Sequence, residues 1–281
     1  MKYLLYNPLS NNNRGKEKVE ALLKEIGNAK LVDVTKTTKE DLRNLCAGLD
    51  VLTDAIYLVG GDGTLQRFAN IVYGLELPPV TFYGSGTGND FLRDIKGKQR
   101  KAGAVVNRYI KNLPLLTIGD TSLRFVNGIG FGLDGTVCEL ADQIKAQSNR
   151  KISYSLLALK CCLYAYQKRD AKITVDGVTK EYKNVWICPT MKGRYFGGGM
   201  MVAPKQDRQN DQNTVSLVVG HTKSRLKLLS VLPTLKMGGL KESRVVDVYN
   251  AKSIKVEFST PCALQVDGET YLNVKGYQVE V

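Results

Sequence analysis

Two glycine-rich segments hold the residues best suited to chemistry. Gly60-Gly61-Asp62-Gly63-Thr64 follows the apolar run Ala55-Ile56-Tyr57-Leu58-Val59, and Gly84-Ser85-Gly86-Thr87-Gly88-Asn89-Asp90-Phe91 follows Pro79 to Tyr83. Each leads from a strand signal into a helix signal. Glycines let a backbone come close to a phosphate, and a helix N-terminus supplies unpaired N–H groups with a partial positive charge. An aspartate in such a turn repels a phosphate unless a Mg²⁺ lies between them or a donor is needed. One such turn alone also reads as a tight Gly-Asp-Gly bend with Thr64 as helix cap. Two on successive strands, each with a Thr and an Asp, point to one phosphate-and-metal site. Neither is a Walker A loop, which needs Gly-Lys-Ser/Thr, nor a G-x-G-x-x-G dinucleotide fingerprint. A third segment, Gln265-Val266-Asp267-Gly268-Glu269, sets two carboxylates at a turn between strand signals. Alone it reads as a hairpin.

The rest of the composition narrows the chemistry. There is one histidine, His221, which argues against Ser-His-Asp and Cys-His catalysis and leaves a carboxylate as the general base. The six cysteines form no C-x-x-C, so they read as buried reduced thiols and not as a disulfide framework or zinc cluster. The net charge of +13 calls for a polyanionic partner, either nucleotide phosphates or an anionic membrane. No Arg-rich arm or aromatic-basic repeat points to nucleic acid.

The elements that must position these residues fall into two blocks. Strand signals at Lys2 to Asn7, Leu31 to Val34, Ala55 to Val59 and Pro79 to Tyr83 alternate with helix signals. The helices are expected over Gly15 to Gly27, Thr38 to Leu49 and Thr64 to Tyr73. Continuous apolar strands alternating with helices imply a parallel sheet covered on both faces. After about Leu113 the chain is mostly strand-like. Runs at 123–127, 172–175, 185–188, 215–219, 245–249, 253–258, 263–266 and 277–281 are interrupted by helices near 153–167 and 224–236. The fold class expected is α/β: a three-layer parallel-sheet nucleotide domain over residues 1–113, then a mainly antiparallel β-sandwich domain for the substrate over 114–281.

Six ordered segments together resemble the diacylglycerol kinase catalytic-domain family, soluble bacterial lipid kinases related to sphingosine kinases. They are Asn7-Pro8-Leu9-Ser10, Gly60 to Thr64, Gly86 to Phe91, Asn127-Gly128-Ile129-Gly130-Phe131-Gly132-Leu133-Asp134, Gly197-Gly198-Gly199 with Ala203-Pro204, and Val266-Asp267-Gly268-Glu269. The resemblance spans nearly the whole chain. That the active site lies in the cleft between the two domains is implied by this resemblance and not by the periodicity. It implies ATP and Mg²⁺ as cofactors, with Asn7, Thr35, Gly61, Asp62, Gly63, Thr64 and Thr87 on the nucleotide. Asn89 and Asp90 of the second loop complete the expected binding set. It implies Asp267 as general base and Glu269 as a neighbouring acidic group. A structural Mg²⁺ held by many bacterial members maps here to Asp211 with Asp207. The chain departs from the family's pattern at Gln66-Arg67, where Asn-Glu is usual, and at Lys192, where an asparagine is usual.

The acceptor implied is a lipid hydroxyl, as in diacylglycerol, a sphingoid base or a polyprenol. Candidate contacts with an anionic membrane are the apolar stretch Ser155 to Tyr166 and the basic amphipathic segment from Lys223 to Arg244. No window reaches the roughly 18 uncharged apolar residues of a membrane span, and the N-terminal run is too short for a signal peptide. A cytoplasmic, peripherally associating enzyme is expected, and a homodimer is compatible with the sequence. The rival readings are a kinase of a soluble dinucleotide, like NAD kinase, and a non-catalytic nucleotide-binding protein.

Overall fold

The computed structural model describes residues 1–10, 15–86, 88–99, 102–147, 154–235 and 238–281. The chain divides into two compact units, Met1–Leu113 and Pro114–Val281.

The first unit runs β1 (Lys2–Tyr6), α1 (Gly15–Ile26), β2 (Lys30–Asp33), α2 (Lys39–Ala47), β3 (Ala55–Gly60), α3 (Asp62–Ile71), β4 (Val80–Gly84), α4 (Asp90–Lys96) and β5 (Ala104–Val105). The sheet order is β2-β1-β3-β4-β5; β1 to β4 are parallel and β5 is antiparallel. The strand interiors are apolar because helices cover them: Leu4, Leu5, Ile56, Leu58, Val80 and Phe82 are fully buried. The start of α2 lies at Thr38, whose hydroxyl accepts the Asp41 N–H at 3.1 Å. From β1 the chain steps outward to β2 and then returns to β3 on the other side of β1. That reversal opens a crevice at the carboxyl ends of β1 and β3, the usual ligand position in open α/β sheets. Asn7 and the first glycine turn lie there.

The second unit is built on one ten-stranded antiparallel sheet. Its strands begin with β6 (Leu115–Ile118), β7 (Thr121–Arg124) and β8 (Gly128–Phe131), followed by the helices α5 (Leu133–Gln147) and α6 (Tyr154–Lys160). The chain continues through β9 (Arg169–Val175), β10 (Val178–Ile187), β11 (Thr190–Met191), the separate pair β12 (Tyr195–Phe196) and β13 (Met200–Met201), and β14 (Val215–His221). Helix α7 (Arg225–Val231), β15 (Val246–Ala251), β16 (Ser253–Val266) and β17 (Glu269–Glu280) complete it. β16 joins two runs that read as separate strands in the sequence. Its first half pairs with β9 and its end with β8, and β17 accompanies both. The β16–β17 register shifts between Glu257 and Cys262, where Pro261 supplies no ladder N–H. β9 also pairs with β10, so the sheet closes on itself. Its interior holds Phe131 stacked on Phe258 with ring centroids 4.2 Å apart, and the strand faces around them are apolar.

Helix α5 is an element the sequence reading missed. Leu133, Val137, Leu140 and Ala141 do carry helical spacing, but they follow directly on a glycine-rich strand. The helix expected at 153–167 is α6, followed by a π-type turn over Cys161–Ala165. The one expected at 224–236 is α7, ending in a 3₁₀ turn, Leu232–Leu235.

Candidate active site

In the first unit the two glycine segments lie back to back. Ser85 N–H donates to Gly60 O at 2.8 Å, and a Cβ placed on Gly86 would lie 2.9 Å from the Gly61 α-carbon. Gly61 is the N-cap of α3 and provides no side-chain cap; Thr64 N–H donates to Gly61 O at 3.0 Å, and Asp62 and Gly63 stand at the positive end of a ten-residue helix. Asn7 binds across from β1: its Nδ2 donates to Thr64 Oγ1 at 3.3 Å, and its Oδ1 accepts Leu9 N–H at 2.9 Å. Ser10 and Ser85 share a hydroxyl–hydroxyl bond of 2.7 Å. Asn7, Gly61, Gly63 and Thr64 are thereby brought together.

Asp62 has a different job from the one its type suggests. Its Oδ2 accepts Asp90 N–H at 2.9 Å and its Oδ1 accepts Phe91 N–H at 3.1 Å. The carboxylate bolts the first helical turn of α4 to the first glycine turn. Asn89 closes its own loop, accepting Gly86 N–H at 3.0 Å and donating to Gly86 O at 2.8 Å. Asp90 is buried with its carboxylate 3.5 Å from Arg93 Nε. Both are loop-forming residues and do not project outward. Thr35 is exposed beyond β2, with its hydroxyl and N–H both on Asp33 Oδ1, and Val34 N–H on Tyr6 O sets it beside the Asn7 strand end. Thr87 lies outside the described residues. Of the departures from the family pattern, Gln66 is buried on α3 and Arg67 is exposed. Lys18 is a residue that sequence reasoning missed. It reaches from α1 to Gly84 O at 2.5 Å, and burial lowers its pKa. The ammonium sits where the two glycine segments meet, although nothing in its sequence context marks it.

In the second unit Asp267 occupies the β16–β17 turn in a left-handed conformation, φ +48°. Its Oδ2 accepts Val126 N–H at 2.6 Å; its Oδ1 accepts Asn127 N–H at 2.8 Å and Gly128 N–H at 3.1 Å. Gly268 N–H donates to Gln265 Oε1 at 2.9 Å, which fixes the turn. Glu269 is exposed at the start of β17. The hairpin and the acid are one feature: the turn exists, and it carries the carboxylate.

Asp207 and Asp211 are the residues expected to hold a structural Mg²⁺. Both are exposed, and Asp207 Oδ1 accepts Gln209 N–H at 2.9 Å. Lys192, nine-tenths buried, extends its Nζ to Asn213 Oδ1 at 2.6 Å. Burial, and then the nearby Arg208 charge, lower the Lys192 pKa to about 8. An internal ammonium thus sits at the loop where a divalent cation was expected. Among the described residues no cluster of three or more His, Cys, Asp or Glu side chains forms a metal site.

Asp134, in the first turn of α5, is buried against the Gly130 α-carbon; a Cβ on Gly130 would lie 1.6 Å from its Oδ2. Among the described residues neither carboxyl oxygen meets a donor in full hydrogen-bond geometry. Burial pushes its pKa up to about 7, against the pull of the Asp134 and Gly135 N–H groups. The ordinary carboxylate value is near 4, so folding favours the protonated form. The contribution of Asp134 to stability is then most favourable below about pH 4, falls as pH rises to about 7, and stays low above it. Asp134→Asn is expected to raise the unfolding free energy at pH 8 by on the order of 3 kcal/mol and to leave it nearly unchanged at pH 4. Denaturant melts at the two pH values check this; equal effects at both contradict it.

Among the described residues no helix is long and apolar enough to cross a membrane. Residues 2–115 match the family model described as diacylglycerol kinase catalytic domain. Residues 127–278 match the model described as YegS C-terminal NAD kinase beta sandwich-like domain. Over 264 residues the chain is 26% identical to the diacylglycerol kinase of Mycobacterium tuberculosis, covering 90% of this chain and 84% of that protein. A crystal structure of a diacylglycerol kinase from Bacillus anthracis superposes with a TM-score of 0.67 at 21% identity, covering 99% of this chain and 93% of that one. At that identity the likeness speaks for the fold.

Proposed function

The chain belongs to the diacylglycerol kinase family, whose members are kinases, and from that premise we propose that it is an ATP- and Mg²⁺-dependent lipid kinase. It moves the γ-phosphoryl group of ATP to the hydroxyl of a diacylglycerol-like lipid. The observation that carries this reading is the pair of glycine segments locked together by Asp62 at the open N-terminus of α3. Such a terminus suits the triphosphate of a nucleotide. The backbone of Gly61 to Thr64 holds the phosphates, Asn7 holds Thr64, and Lys18 adds a positive charge nearby. Mg²⁺, when bound with the nucleotide, neutralises phosphate charge. Asp267 accepts the proton of the lipid hydroxyl as the new P–O bond forms and the bond to the ADP oxygen breaks. The Val126, Asn127 and Gly128 N–H groups hold Asp267 for that contact.

The lipid is met at an anionic surface. α6 and α7 are joined where Arg225 Nη1 donates to Cys162 O at 2.9 Å, and Leu157 and Leu229 pack into the same apolar cluster. Leu156, Leu159 and Leu226 remain exposed beside the exposed Lys160, Lys223 and Lys227. Apolar tips ringed by lysines suit an anionic bilayer, with about 1 kcal/mol per nearby basic residue. The test is label transfer from γ-labelled ATP to diacylglycerol in vesicles, with NAD offered in parallel. Turnover is expected to be faster on anionic than on neutral vesicles, to weaken with added salt and in Leu226→Glu, and to be absent with NAD. Labelling of NAD in place of lipid overturns the reading, and equal, salt-insensitive turnover on both vesicle types overturns the docking surface.

A further inference from the structure

Arg208 is 9% exposed although it sits in the largely exposed loop from Asp207 to Asn213. Its guanidinium turns inward. Nη1 donates to Val126 O, and Nη2 donates to Asn127 Oδ1 at 2.5 Å. The other edge of the same segment holds Asp267 through the N–H groups of Val126, Asn127 and Gly128. Lys192 and Gly193 close the remaining side, both donating N–H to Asn127 O at 2.9 Å. Residues 126–128 are thus a bar, with Arg208 gripping one edge and the Asp267 carboxylate hanging from the other. A planar guanidinium suits the grip because it fixes two hydrogen-bond directions at once, which an ammonium cannot do. Its charge on Val126 O also polarises that peptide, strengthening the Asn127 N–H as a donor to the carboxylate.

We propose that Arg208 is the positioning residue for Asp267, acting through the Val126–Gly128 peptides. The proposal rests on the reading of Asp267 as the group that takes the hydroxyl proton. Through its bonds to Val126 O and Asn127 Oδ1, Arg208 determines where the carboxylate hangs. The loop that the family resemblance marks for a metal therefore serves the acid with a cation of its own, joined there by the buried Lys192 ammonium.

The test is steady-state kinetics of the full chain with ATP and vesicles containing diacylglycerol. A misplacement of the acid by about 1 Å predicts a loss of about 10²-fold in kcat for Arg208→Gln, with KM for ATP changed less than about twofold. Arg208→Lys, which keeps the charge but only one end of the grip, is expected to recover about tenfold of that loss. In an Asp267→Asn background, Arg208→Gln is expected to cost less than about twofold more, because the two residues act as a unit. A folded Arg208→Gln with wild-type kcat overturns the proposal, as does a loss that simply multiplies with that of Asp267→Asn. If Arg208→Gln does not fold, Asn127→Ala removes one end of the grip and keeps every N–H donor. It is expected to lower kcat by about tenfold, and an unchanged kcat is decisive against the role. A fully active Asp267→Asn defeats the reading of Asp267 itself, and the positioning role falls with it. An inactive Asp267→Asn beside a fully active Arg208→Gln defeats the positioning role alone.

Discussion

Asp267→Asn is expected to lower kcat by about 10³-fold, the range lost with a positioned general base, and to leave ATP affinity within about twofold. The residues expected on the nucleotide belong to the first unit, and the Val126, Asn127 and Gly128 N–H groups that hold Asp267 belong to the second, so the two effects are expected to separate. The substitution is close in shape but not neutral. One carboxylate oxygen becomes an NH₂ facing backbone donors at 2.6 to 3.1 Å. That mismatch costs about 1–3 kcal/mol and lowers the melting point by a few degrees. The kinetic loss is far larger than the unfolded fraction accounts for. Turnover measured beside circular dichroism and ATP titration decides the matter. Folded protein with wild-type kcat removes Asp267 from the chemistry.

Gly86→Ala is the second large effect. The added Cβ would lie 2.9 Å from the Gly61 α-carbon and 3.2 Å from Asn89 Oδ1. Backbone cannot give way as the end of a long side chain can, so the two glycine segments must part. The Asp62 bonds to Asp90 and Phe91 N–H stretch with them, and the N–H groups at the start of α3 lose their alignment. The apolar strands beneath are untouched, so the sheet should persist. The expectation is a loss of about 10²-fold in kcat/KM for ATP with little change in the far-ultraviolet spectrum. Isothermal titration with a non-hydrolysable ATP analogue measures the binding part. Unaltered affinity means that the phosphates sit elsewhere.

The alternating architecture of the first unit was legible because its strands are apolar throughout and its helices keep strict spacing. What periodicity could not show was the direction of each polar side chain. Asp62 and Asn89 look like ligands by type, and the structure shows both also tying together the loops that carry them. Only the contact between the two glycine segments reveals this, because the partners lie 28 and 29 residues away from Asp62. In the second unit, Ser253 to Val266 reads as two strands because Ser259-Thr260-Pro261 interrupts the pattern; pairing on both flanks carries it through as one. The Asp267-Gly268 turn was visible in the sequence. Its partners, 139 to 141 residues distant, were not. Nor was Arg208, since an arginine in a polar loop gives no sign of pointing inward. Local signals fix turns and helices, whereas the donors and cations that tune a site come from remote segments brought in by topology.

The most direct measurement is to incubate the protein with Mg²⁺ and diacylglycerol vesicles, using γ-labelled ATP in one arm and α-labelled ATP in the other, and then to extract the lipid. The account predicts label in the lipid phase from the γ-labelled arm alone, lost in Asp267→Asn. Label from the α-labelled arm, or label confined to water-soluble products, contradicts it.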